Sequence, residues 1–423
     1  MHFSTLLSSV VLLSTTGWAQ YVLEDDYLAD GNFYSLFSFW DTADPTNGFV
    51  AYQNQSAAQD ANLISASATN VQMKVDTENV ASSAGRASVR ITSNKAYDSG
   101  LVILDAEHMP VGCGTWPAFW MVGPNWPSKG EIDIIEGVNE QTANDMTLHT
   151  SDGCTINDSG FTGTLTTDDC YVQAADQGTN AGCQIAASDS NTYGSSFNDN
   201  GGGVYATEWT DSAISIWFFP RGSIPSDIDS GWPEPSSWGT PLAYFHGDCD
   251  ISSHFQSLQI VFDTTFCGDW AGNVWSSGSC ALKADTCVDY VQNNPSAFSE
   301  AYWSVNALKV YQASGYSPNT AAPNASTTSI WSSAPFITSP TNTTASSSLP
   351  ETLTTSSELV PATPTIAFAP TQSYEQETWG WHGHGHGHGH YRDEPSASAS
   401  ASASAEAVKR HLRHHKRHGA GRL

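Results

Sequence analysis

Three carboxylates lie within six residues of the stretch GEIDIIEG, Gly130 to Gly137: Glu131, Asp133 and Glu136. Closely placed acids of this kind do nucleophilic and general acid/base work, provided one can stay protonated while another is charged. Their spacing is uneven, with one residue in the first gap and two in the second. In a plain strand side chains alternate between faces, so Glu131 and Asp133 share a face and Glu136 points the other way. A β-bulge inserts one extra residue into a strand, and bulges gather beside active sites. One extra residue between Asp133 and Glu136 returns all three acids to a common face. The stretch is therefore expected to be a bulged strand with Ile132, Ile134 and Ile135 buried behind the acids.

On such a strand the two glutamates stand four regular positions apart, about 13 Å between α-carbons at roughly 3.3 Å per residue. Arms leaning toward each other close that to about 5–5.5 Å, the carboxyl separation of a retaining glycosidase. One carboxylate then attacks the anomeric carbon while the other protonates the leaving oxygen and later deprotonates water. Asp133, between them, shares a proton or hydrogen bond with the nucleophile and tunes its charge. A solvated acidic strand or a calcium-binding edge is the rival explanation. The isoleucines, which demand burial of the opposite face, and the absence of a turn favour a site.

Just upstream, CGTWPAFWMVGPNWPSKG carries Trp116, Trp120 and Trp126. On a strand Trp116 and Trp120 share a face. A single tryptophan is more often core than sugar platform. Three of them directly ahead of an acid triad favour pyranose stacking.

The elements that must position these residues read as strands. VQMKVD sets Val71, Met73 and Val75 against polar neighbours, and AISIWFF places Ile214, Ile216 and Phe218 on one face. ASVRIT, GLVILDAEH, WPAFWMV, DMTLHT, GVYATEW, SLQIVFD and NALKVYQ are similar, separated by Gly, Pro, Asn and Asp clusters. Helical periodicity is weak and confined to Cys287 to Asn293. This is the pattern of an all-β sandwich or barrel.

The 423-residue chain divides by composition. Residues 1–20, with the apolar run Leu6 to Leu13 and small residues Gly17 and Ala19, have the form of a secretory signal peptide. Residues 21–315 form the folded unit. Residues 316–375 are a Ser/Thr/Pro-rich stalk, and 376–423 a low-complexity tail with His382, His384, His386, His388 and His390 alternating with glycine. Those imidazoles suit Cu(II), Ni(II) or Zn(II) binding, against the blander account of adventitious affinity. Sequons begin at Asn54, Asn157, Asn324 and Asn342. All eight cysteines fall between Cys113 and Cys287. They are expected to form disulfides whose pairing the sequence leaves open, and zinc is disfavoured because no Cys-x-x-Cys pair occurs. No metal or cofactor is expected.

The net charge is −28, and only eight Lys and Arg precede Gly315. So acidic a surface argues against nucleic acid or anionic lipid as a partner and fits a neutral polymer. No apolar run after the leader reaches the roughly 20 residues of a membrane span. The expected state is a secreted monomer, with wall association through the stalk left open.

GTWPAFWMVGPNWPSKGEIDIIEG resembles glycoside hydrolase family 16, within it the fungal laminarinase-like endo-β-1,3(4)-glucanases. DPTNGFV at Asp44 to Val50, TLHTSDGC at Thr147 to Cys154 and FDTTFCGDWAG at Phe262 to Gly272 extend the likeness across most of residues 21–315. The resemblance implies a concanavalin A-like β-jelly-roll whose concave face is a cleft for β-glucan. It makes Glu131 the nucleophile, Asp133 its helper and Glu136 the acid/base. It places His149 near Glu136; Trp120 and Trp126 are the expected sugar-stacking residues, with Trp116 a further substrate-binding candidate. Arg90 is expected to hydrogen-bond the glucan, with a salt bridge as the structural alternative. Trp270 is expected on the far side of the cleft. A wall-glucan transglycosylase uses the same residues with a sugar acceptor in place of water. A non-catalytic lectin uses the same fold but has no need of both Glu131 and Glu136.

Overall fold

Two eight-stranded antiparallel sheets, packed face to face, account for most of the strands in the computed structural model, which describes residues 21–314. The expected signal peptide, stalk and tail, with Asn324, Asn342 and the Gly-His run, lie outside the described residues. The front sheet runs in the order Thr164–Thr167, Cys183–Ala186, Asp145–His149, Glu131–Glu136, Thr115–Val122, Leu258–Phe266, Arg90–Tyr97, Phe37–Phe39. The back sheet runs Ala243–Phe245, Ile214–Pro220, Gly203–Trp209, Gly100–His108, Tyr302–Ala313, Val71–Lys74, Ile64–Ala66, with Tyr21–Asp26 also pairing with Tyr302–Ala313. Neighbouring strands are mostly distant in sequence, as in a jelly-roll.

Alternation decides which side chains meet between the layers. Phe119, Met121, Ile132, Ile134, Ile135, Met146, Leu148, Ile260 and Phe262 face inward from the front sheet, and Val102, Leu104, Ile214, Ile216, Trp303 and Leu308 belong to the same buried cluster. Phe262 bridges the layers, 4.6 Å from Phe119 and edge-on to Trp303 at 5.6 Å. Each such side chain stabilises the fold by about 1.5–3 kcal/mol relative to exposure. Because this face of the front sheet is occupied by apolar residues, the opposite face is free for polar chemistry.

GLVILDAEH and GVYATEW coincide with strands Gly100–His108 and Gly203–Trp209. The weak helical signal is the helix Cys287–Asn293, capped by the Thr286 side chain. ASVRIT is not one strand. It divides at Val89, with Arg86–Ser88 pairing parallel to Val50–Tyr52 while Arg90–Tyr97 joins the front sheet. All eight cysteines are in disulfides: Cys113–Cys280, Cys154–Cys249, Cys170–Cys183 and Cys267–Cys287. None remains as a thiolate ligand. Asn54 and Asn157 are exposed, and Asn54 also caps a short helix by accepting from the Ala57 amide at 3.0 Å.

Candidate active site

The strand Glu131–Glu136 is bulged where the spacing predicts. Against one neighbour Asp133 pairs with Trp120 and Ile135 with Phe119, so Ile134 is the extra residue. Against the other, Asp133 pairs with Thr147 and Glu136 with Asp145. Ile134 and Ile135 both turn into the core. Glu131, Asp133 and Glu136 therefore stand together on the face away from the back sheet.

A bulge frees backbone groups that must find partners when buried. Here Asn144 supplies both. Its side-chain nitrogen donates to the Ile134 carbonyl at 2.8 Å, and its side-chain oxygen accepts from the Glu136 amide at 2.9 Å. Asn144 is fully buried, its own amide donating to Thr192 Oγ1 at 3.0 Å.

Glu131 and Glu136 are half-buried, whereas Asp133 is 2% exposed. One oxygen from each of Glu131 and Asp133 and one ring nitrogen of His149 lie within 4.8 Å of one another. His149 Nε2 stands 3.3 Å from Asp133 Oδ2. Trp116 Nε1 donates to Glu136 Oε1 at 2.8 Å. Burial first, then the charge of Asp133, pushes Glu131 up to about 8, with His149 opposing. Burial and Asp133 likewise push Glu136 up to about 8, opposed by the Trp116 hydrogen bond and by His149. Asp133 is raised well above the carboxylate range by burial and by Asp263. Acids so coupled share protons as a set. At neutral pH the cluster retains protons, so one carboxyl can act as acid while another is a charged nucleophile.

Sequence reasoning places His149 near Glu136. The structure sets it directly across from Glu131 and against Asp133. Antiparallel pairing runs the two strands in opposite directions, so the residue furthest along the second strand meets the start of the first. Its field still reaches Glu136.

The aromatic residues flank these acids. Trp116, Trp120 and the small Ala118 between them share the face of the acids, as the register with Glu131–Glu136 requires. Trp126 is 45% exposed on the loop that leads into Glu131. Trp270 meets Trp116 edge-on at 5.7 Å, beside Glu136. Arg90 is 9% exposed, clasped between Trp40 at 5.1 Å and Trp120 at 4.9 Å, with Nη1 3.8 Å from Asp263 Oδ2. The salt-bridge alternative is thus realised, yet Arg90 Nε has no protein partner.

Three contributors escaped the sequence reading. Asp263 accepts from Trp120 Nε1 at 3.2 Å and pairs in register with Ala118, across from Glu136. Burial holds its carboxyl up near 7 while Arg90 pulls it down. Its signal was present in SLQIVFD, where alternation sets Val261 and Asp263 opposite the core residues Ile260 and Phe262. Trp40 and Asn144 carried no local signal, because their partners are remote strands and a bulge.

Comparison with known proteins agrees with this geometry. The profile described as "XgeA-like, catalytic GH16 domain" matches residues 37–311. The endo-1,3(4)-beta-glucanase of Arthroderma benhamiae is 49% identical over 305 residues, 71% of this chain and 66% of that protein. The chain spans less of the Aspergillus relatives, 42% of the Aspergillus niger one. Laminarinase 16A of Phanerochaete chrysosporium superposes with a TM-score of 0.66 at 45% identity, covering 70% of this chain and 100% of that one. An elongating family 16 β-1,3-glucosyltransferase gives 0.65 at 48% identity, covering 69% and 100%. A jelly-roll, a bulged acid triad and this profile match converge, and the chain belongs to glycoside hydrolase family 16.

Proposed function

We propose that this protein is a secreted, endo-acting β-glucanase that hydrolyses β-1,3 and mixed β-1,3/1,4 glucans with retention of configuration. One observation carries the proposal: the Ile134 bulge puts Glu131 and Glu136 on the same face, either side of Asp133. Glu131 attacks the anomeric carbon and Glu136, held by the Trp116 N–H, gives its proton to the leaving oxygen. Glu136 then removes a proton from water, which releases the sugar from Glu131. Asp133, the most deeply buried acid, donates a hydrogen bond to Glu131 and stabilises its negative charge. Trp126, 45% exposed, and Trp116 stack on glucose rings, the buried Trp120 backs the site with the Arg90 guanidinium over its ring, and that guanidinium donates to a glucan hydroxyl. The relatives' names and the acidic, tryptophan-lined site support the substrate class. Four disulfides support an oxidising, extracellular location, and no helix among the described residues is long and apolar enough to cross a membrane. We take the protein to act as a monomer, the stalk and tail serving as appendages to the catalytic unit.

The test is reducing-end release from laminarin and cereal β-glucan, with NMR of the first anomer formed. The expected product is the β-anomer, and Glu131→Gln should abolish release with the fold intact. No release from either glucan would defeat the proposal. Transglycosylation is the second reading, favoured by the 48% identity to an elongating glucosyltransferase. Products longer than the starting oligosaccharide would establish it.

A further inference from the structure

Among the described residues His149 is the only imidazole on the acid triad, and one of its nitrogens is unsatisfied. Nδ1 is buried without a hydrogen-bond partner, while Nε2 faces Asp133 Oδ2, an atom equally without a hydrogen bond. An imidazole that makes no bond through Nδ1 has nothing on that side to fix its tilt. Its orientation is therefore set by the groups packed against it.

Part of that packing comes from one residue. Gly182 lies directly against the ring: a Cβ there would stand 2.9 Å from His149 Nδ1, 3.0 Å from Cε1 and 2.4 Å from the Leu148 carbonyl. Only a glycine backbone fits so close, and its φ of +62° suits glycine as well. The segment ending at Gly182 is braced on both sides of His149. Thr150 donates its amide to the Cys170 carbonyl at 2.8 Å and accepts from the Val172 amide at 3.1 Å. Cys183 pairs with Leu148. The Cys170–Cys183 disulfide closes the loop between them. Inside the loop, Gln177 Nε2 donates to the Asp169 carbonyl at 2.5 Å and the Gly182 carbonyl at 2.8 Å.

We propose that the Cys170–Cys183 loop is a positioning device for the acid triad: it presses the Gly182 backbone onto the edge of His149 and so holds Nε2 on Asp133. Gly182 and Gln177 are positioning residues and touch no substrate. The inference rests on the proposed glucanase reaction, because its effect is read in turnover. It adds to that reaction a determinant outside the GEIDIIEG motif, 46 positions beyond Glu136.

A double-mutant cycle tests it. Gly182→Ala forces a methyl into the ring and should lower kcat on laminarin about tenfold, with KM within about twofold. Gln177→Ala, which leaves the backbone of Gly182 unchanged, should lower kcat about threefold. Both losses should vanish in a His149→Gln background, where no ring remains to be held. Circular dichroism and thermal melting confirm that each variant is folded, and Gln177→Ala carries the test if Gly182→Ala is not. An equal loss in the two backgrounds, or an unchanged kcat in the folded single variants, would overturn the proposal. A wild type inert on every glucan would overturn the functional reading and this inference together, whereas an active wild type with unaffected variants overturns the inference alone.

Discussion

Trp116 reaches across from the neighbouring strand and donates its indole N–H to Glu136 Oε1 at 2.8 Å. A hydrogen bond to a carboxylate favours the ionised form, so this contact opposes the burial and the Asp133 charge that raise Glu136. Replacing Trp116 by Phe removes the donor. Glu136 should then hold its proton to higher pH, moving the alkaline limb of kcat/KM upward by roughly half to one unit. Turnover should fall about tenfold as the acid loses its orientation. A pH–rate profile of the variant beside the wild type checks this; an unmoved alkaline limb would mean that another group sets it.

The same raised carboxyls make stability depend on pH. Glu131 and Glu136 rise from an ordinary value of 4.5 to about 8 in the fold, so the folded chain binds more protons than the unfolded chain between those values. Stability is then fully present below about pH 4.5, falls as pH rises through that window and levels off above it. Glu136→Gln removes one of the charges that must be buried. It should raise stability at pH 8 by about 1–2 kcal/mol, or roughly 2–8 °C in Tm, and leave it unchanged at pH 4. Calorimetry at the two pH values decides the matter.

Asn144 is the most economical point at which to loosen the bulge. Asn144→Ala leaves the Ile134 carbonyl and the Glu136 amide buried without partners, at about 1–3 kcal/mol each. Turnover should fall about a hundredfold, since Glu136, the proposed acid/base, rides on that segment. Urea denaturation and initial rates on laminarin provide the two readings. A stability loss with kcat intact would show that the bulge holds its shape without the amide.

The motif was legible because its signals are local. Three acids, their uneven gap and the isoleucines between them state both the bulge and the face it serves. Alternation likewise exposed the strands Gly100–His108 and Gly203–Trp209 at full length. What escaped depends on partners distant along the chain. Asp263 matters through Arg90 and Trp120, Asn144 through a carbonyl ten residues back, and Gly182 through the ring of His149. The direct partners of His149 were hidden for a related reason, because distance along the sequence says nothing about antiparallel register. Disulfide pairing needed the fold outright, since Cys113 and Cys280 are 167 residues apart.

In the proposed reaction Glu131 becomes covalently bonded to sugar while Glu136 handles the proton. A 2-deoxy-2-fluoro laminari-oligosaccharide with a good leaving group slows release of that intermediate, and peptide mapping by mass spectrometry identifies the residue that carries it. The expected outcome is a single label on the peptide containing GEIDIIEG, fragmenting to Glu131 and absent in Glu131→Gln. Label on Glu136, or turnover to the inverted anomer with no label at all, would contradict it.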